Sequence, residues 1–208
     1  MANPTYIENG VLDGTTEAWV ALNSKTCDSR ASSIEWNTRY NDAGQNVGGV
    51  NEWSQYMDFY ILCYCRGSAS PENGNLNLKV NSVDASNSHS KNMLRNATST
   101  GTSTYSNSYY GNLWDAGEMV GGGTSHTHGM SAMGITLSDV NSGKYKTGMC
   151  TGGGGDHTSA ATSYSFLYTC MFFTQEPIKK LTLSTRNLSQ FETGSRFDLF
   201  GILPRMVA

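Results

Sequence analysis

Charge is scarce in this chain. Only 15% of its 208 residues are charged, with 14 bases against 17 acids. The net charge of −3 and the pI near 5.8 lack the concentrated Lys and Arg of a nucleic-acid binder. Long apolar runs are also missing. The longest, residues 166–173, is interrupted by Tyr168 and Thr169, well short of the roughly 18–20 residues that a membrane helix needs. Met1-Ala2-Asn3-Pro4 is not a basic segment leading into an apolar one, so no secretory signal is expected. Helical periodicity is weak throughout, because Gly, Ser, Thr and Asn, 87 residues together, interrupt nearly every window. No period of about 20–50 residues marks a repeat protein.

What is present is aromatic and β-prone. Four Trp, eleven Tyr and seven Phe can build a core and argue against disorder. The length suits one domain of roughly 100–250 residues. Residues 1–16 read as a polar N-terminal arm, and residues 17–208 as a single domain. Charge is uneven: residues 1–60 hold eight acids against three bases, while residues 177–208 hold five bases against two acids. Opposite ends of one chain, or of neighbouring copies, can meet on that basis.

Strands are predicted over residues 18–22, 33–38, 57–65, 75–80, 103–110, 131–138, 144–150, 162–174, 178–185 and 196–203. The 57–65 run is apolar on both faces, as in a central strand of a sandwich. With residues 75–80 it reads as a hairpin across the Pro71 and Asn73-Gly74 turn. About eight or nine strands and almost no helix predict an all-β, antiparallel β-sandwich or jelly roll. Residues 84–104, 115–129 and 151–160 are polar or Gly-rich and read as long loops, where binding tends to reside.

Five cysteines, Cys27, Cys63, Cys65, Cys150 and Cys170, show no zinc spacing. Cys63 and Cys65 share one strand face, without favourable disulfide geometry. Buried reduced thiols are expected, which fits folding in a reducing cytoplasm.

Candidate chemistry is thin. His126-Thr127-His128 could supply half a metal site, with His157 as a third ligand, but no fixed spacing ties them together; exposed loop histidines are the simpler reading. No metal or other cofactor is expected. Gly152–Gly155 followed by Asp156 lacks the Gly-Lys-Ser/Thr ending of a phosphate loop. It reads as a flexible or tight loop, or as a place where two backbones approach at a subunit contact. Gly121–Gly123 is likewise bare. There is no G-x-S-x-G, Cys150 has no assigned base, and Asp115 with Glu118 is the sort of acid pair that chance supplies. Tyr105, Tyr109, Tyr110 and Trp114 could stack on sugars, but Tyr and Trp are also enriched in protein interfaces, the stronger reading.

One stretch is more specific. Ala31-Ser32-Ser33-Ile34-Glu35-Trp36 is followed by Trp53-Ser54-Gln55-Tyr56, then Phe59-Tyr60-Ile61-Leu62 and Arg66, then Asn75-Leu76-Asn77-Leu78-Lys79-Val80-Asn81. Residues 178–184 lead to Asn187, Phe191, Gly194-Ser195-Arg196-Phe197 and Leu199-Phe200-Gly201-Ile202. Over roughly residues 17–208 this resembles a family of tailed-phage virion proteins, common in cyanophages. Its members close with F-x-x-G-S and a last strand ending near L-Y/F-G-I.

The resemblance implies a jelly-roll virion structural protein without enzymatic activity. The expected role is capsid decoration (cement), working as a homo-oligomer, with a trimer favoured, on the major capsid protein or other virion proteins. The expected location is the virion, assembled in the host cytoplasm. The interface residues expected to carry this are Tyr6, Ile7, Val11 and Leu12 of the arm, with Tyr109, Tyr110, Trp114 and Gly121–Gly123 in the loops. The alternative is a tail fibre or adhesin domain that binds host surface glycan. A wall or polysaccharide hydrolase is a third, with no acid singled out for it. Within the closing motif, Phe191 is expected to plug the sandwich end and Gly194 to take φ > 0. Phe191→Ala or Gly194→Val should each cost about 1–4 kcal/mol.

Overall fold

Residues 7–8, 11–12, 19–39, 52–68, 73–81, 89–97, 101–107, 114–122, 129–156, 159–186 and 188–203 are described by a computed structural model. In chain order the strands are β1 (Ile7–Glu8), β2 (Val11–Leu12), β3 (Trp19–Thr26), β4 (Ser33–Asn37), β5 (Asp58–Cys65), β6 (Asn73–Val80) and β7 (His89–Ala97). They continue as β8 (Gly101–Asn107), β9 (Trp114–Val120), β10 (Ser131–Ser138), β11 (Lys146–Asp156), β12 (Ser159–Phe172), β13 (Lys180–Arg186) and β14 (Arg196–Ile202). Every pairing between them is antiparallel. The described residues contain no helix.

The expected β-sandwich forms. Its large sheet runs β3-β14-β5-β10-β11-β12-β7-β8 and its small sheet β4-β13-β6-β9, while β1 and β2 pair only with each other. Alternation in the sequence sets what each strand buries. Phe59, Ile61, Cys63 and Cys65 of β5, Met133, Ile135 and Leu137 of β10, and Phe197 and Leu199 of β14 point inward from the large sheet. Ile34, Trp36, Leu76, Leu78, Val80, Leu181 and Leu183 meet them from the small sheet.

Eight strands pair as a chain doubled back on itself. The first, β3, lies against the last, β14; β4 lies against β13, β5 against β10, and β6 against β9. The remaining long strands come from two insertions. The pair β7–β8 leaves between β6 and β9, and β11–β12 leaves between β10 and β13. Both extend the large sheet past β10.

Three sequence expectations change here. The described residues form fourteen strands rather than eight or nine. Much of the three supposed loops is strand: β7 lies within 84–104, β9 covers 115–120 of the second, and β11 and β12 cover most of 151–160. Residues 57–65 and 75–80 do not form a hairpin, because β5 and β6 belong to opposite sheets. Each has an apolar row that needs the other sheet, and facing across the sandwich satisfies both.

The glycines at 152–154 show why a strand was missed. A Cβ on Gly152 would lie 2.5 Å from the Met133 Cβ and 2.7 Å from the Ala132 carbonyl oxygen on β10. Close approach therefore occurs inside the sheet, between β10 and β11.

The closing motif behaves as expected. Phe191 is fully buried, bridges the backbones of Ala31 and Gly67, and meets Phe197 edge-on at 4.8 Å. Gly194 has φ +86°, and its amide donates to the Cys27 carbonyl at 2.8 Å. Between them, Glu192 accepts from Arg30 Nε at 3.1 Å and stands 3.9 Å from the Arg66 guanidinium.

Desolvation alone would push the Glu192 carboxyl up. The Arg30 hydrogen bond, the Thr193 amide and the charges of Arg30 and Arg66 outweigh it, leaving the group below its ordinary value. A carboxyl depressed in the folded state stabilises above its unfolded pKa, and that stability is lost as pH falls through the folded pKa. The Tm advantage of the wild type over Glu192→Gln should therefore be full near neutrality and vanish on acidification below about pH 4. Thermal melts of both proteins across that range check this; a constant gap would contradict it.

Candidate interaction surface

The two outward faces of the sandwich differ in chemistry. The small sheet presents polar and charged groups. Lys180 of β13 pairs with Glu35 of β4 at 3.0 Å, Thr182 Oγ1 donates to the same carboxylate at 3.4 Å, and Lys79 stands on β6. This is the usual alternation of a sheet with one wet side.

The large sheet departs from it. One registered row crosses five strands as Phe200, Tyr60, Thr136, Met149 and Thr169. Its neighbour runs Asp198, Leu62, Gly134, Thr151 and Leu167. On β10, β11 and β12 no outward position among the described side chains carries a charge. Of the eight exposed large hydrophobic residues among those described, seven lie on this face or at its end: Trp19, Leu62, Tyr64, Tyr145, Met149, Met171 and Phe173.

Several of these are organised. Trp19 meets Tyr60 edge-on at 5.2 Å, and both lie 6.4 Å from Phe200. Tyr60 lies over Gly134, where any Cβ would collide with the phenol. Tyr145 and Phe173 pack edge-on at 5.6 Å. Charge is confined to the margins. Asp58 accepts from the Asp139 amide at 2.8 Å, and Asp198 pairs with Arg196 at 3.0 Å.

The residues expected from sequence fall elsewhere. Tyr6, Tyr109, Tyr110, His126, His128 and His157 lie outside the described residues. Ile7, Val11 and Leu12 belong to the β1–β2 pair. Trp114 opens β9 opposite Leu78, so it sits in a strand and not in the expected loop. Asp115 and Glu118 are buried in that strand and serve structure. Asp115 takes two hydrogen bonds from Arg186 at 3.0 and 3.2 Å, and Glu118 accepts from the Tyr168 hydroxyl at 2.9 Å. Among the described residues no group of three or more His, Cys, Asp or Glu could hold a metal ion.

The outward face was missed because the 57–65 run was taken as covered on both sides. The signal was there: Tyr60, Leu62 and Tyr64 are aromatic or apolar at every second position of β5, and Leu167 and Met171 flank Thr169 on the same face of β12.

All five cysteines are free and buried. Burial raises the thiols of Cys63, Cys65, Cys150 and Cys170 well above their ordinary value, which suppresses the reactive thiolate. Cys65 Sγ lies 3.2 Å from Met119 Sδ across the core. A thiol reagent should therefore titrate no cysteine in the native protein and five after denaturation. A fast native phase of one or more equivalents would contradict this.

The fold and this face define an all-β sandwich with a polar side and an uncharged, apolar side. No protein-family model matches the chain, and no curated protein matches it.

Proposed function

We propose that this chain is a non-enzymatic structural protein of a phage virion, acting as a capsid decoration protein that stabilises the head through subunit contacts. The observation that carries the reading is the uncharged apolar face of the large sheet. Contiguous apolar surface of several hundred Å² marks contact with another molecule. The doubled-chain pairing, first long strand with last and second with second-last, supports a jelly-roll reading, an architecture that recurs in viral capsid and lectin domains. The resemblance over residues 17–208 points the same way.

The test is the copy number of this chain per virion, by quantitative mass spectrometry against the major capsid protein. Icosahedral repetition predicts on the order of hundreds of copies. About a dozen or fewer matches tail or vertex symmetry and favours the fibre or adhesin reading. For that reading the Trp19, Tyr60 and Phe200 cluster offers a stacking platform for a sugar ring. Absence from virions overturns both.

A further inference from the structure

We infer that the outer face of the large sheet is a self-association surface, occupied by a second copy of this chain packed face to face. The argument does not depend on the virion reading; it rests on area, charge and shape.

The face spans six strands, β3-β14-β5-β10-β11-β12. At about 4.8 Å between strands and 3.3 Å per residue, six strands of about seven residues cover roughly 650 Å². Two such faces bury roughly 1,300 Å² in total, within the range of about 1,200–2,000 Å² for a specific, stable interface. The area therefore meets what a stable dimer needs.

Charge selects a copy of the same chain over a partner of different character. Recognition of an unlike protein uses complementary potentials, and the centre of this face has none to offer. Thr136, Met149, Thr151, Leu167 and Met171 can meet their own counterparts across a two-fold axis without like-charge repulsion. At the margin, Arg196 and Asp198 are already paired. Shape agrees, since sheets stack face to face about 10 Å apart with interdigitating side chains. A contact that uses the same patch on both subunits is isologous and closes as a dimer. It therefore differs from the trimer expected from the resemblance.

The test uses the wild-type chain in solution. Sedimentation equilibrium gives the mass, and peroxide oxidation followed by peptide mass spectrometry reads the face. Met149 and Met171 are 44% and 41% exposed on one protomer, and Met57 is 46% exposed but lies off the face. The inference expects a dimer in which Met149 and Met171 oxidise about tenfold more slowly than Met57, because oxidation follows exposure. Met149→Lys should give a monomer with an unchanged circular dichroism spectrum and three equally reactive sites. A monomeric or trimeric wild type overturns the inference. So does a dimer in which all three methionines react alike, since association would then use a sheet edge or the polar face. If Met149→Lys does not fold, the oxidation pattern of the wild type still decides.

Discussion

Phe191→Ala should lower the unfolding free energy by about 3–4 kcal/mol, the scale of deleting a buried ring from a packed core. The side chain is fully buried, and its neighbours cannot easily close the gap. Phe197 is held in β14, between β3 and β5. The Phe191 backbone is fastened to Ala31 by hydrogen bonds in both directions, at 2.7 and 3.2 Å. Collapse would have to break these links, so a cavity remains and its cost persists. Gly194→Val acts differently: a Cβ there meets nothing within 4 Å, so the penalty is the left-handed backbone, about 1–2 kcal/mol before the branched side chain adds to it. Urea unfolding of both variants checks the pair. The expected order is Phe191→Ala below Gly194→Val below wild type, and equal midpoints for all three would contradict it.

Lys146→Met should cost about 2–4 kcal/mol, because hydrogen bonds from a charged donor contribute about 1.5–3 kcal/mol each and methionine can donate none. Lys146 has no exposed surface. Its Nζ donates to the carbonyls of Ser142 at 2.5 Å, Lys144 at 2.6 Å and Gln175 at 3.3 Å. The amine thus fastens the turn before β11 to the segment after β12.

Desolvation lowers the Lys146 pKa from 10.5, and the charge of Asp139 offsets only part of that. The unfolded state therefore binds more protons between the folded value and 10.5, so this group adds stability as pH rises through that window. Melts of wild type and Lys146→Met should diverge further with rising alkalinity. A gap that narrows over the same range would contradict the lowered pKa of this buried amine.

How far the sequence carries can be judged strand by strand. Residues 196–203 were legible because Phe197 and Leu199 alternate with Arg196 and Asp198, whereas 131–138, with Ser131 and Gly134 among its apolar residues, gave a weaker signal. Phe191 and Gly194 were legible because a lone Phe and a Gly in a polar closing loop have few other uses. β7 and the glycine stretch of β11 were not. Their backbones pair with strong neighbours such as β12, and strand propensity measures fit to a neighbour more than a local preference. Partner choice was lost for a related reason: the β5–β6 turn looks like a hairpin, and only the opposite sheet shows that it crosses. Lys146 gave no signal at all, since its acceptors are backbone carbonyls from two distant segments.

The pairing of β3 with β14 also sets an order in time. The first long strand is synthesised early, yet its hydrogen-bonding partner β14 follows every other described strand and must enter between β3 and β5. Non-local pairing of this kind slows folding, since loop closure precedes the contacts that reward it. Until β14 emerges, the nascent chain holds β3 and β5 as open edges, the exposed state in which β proteins aggregate. Synthesis rate and chaperone supply will therefore govern the yield of this protein more than its final stability does.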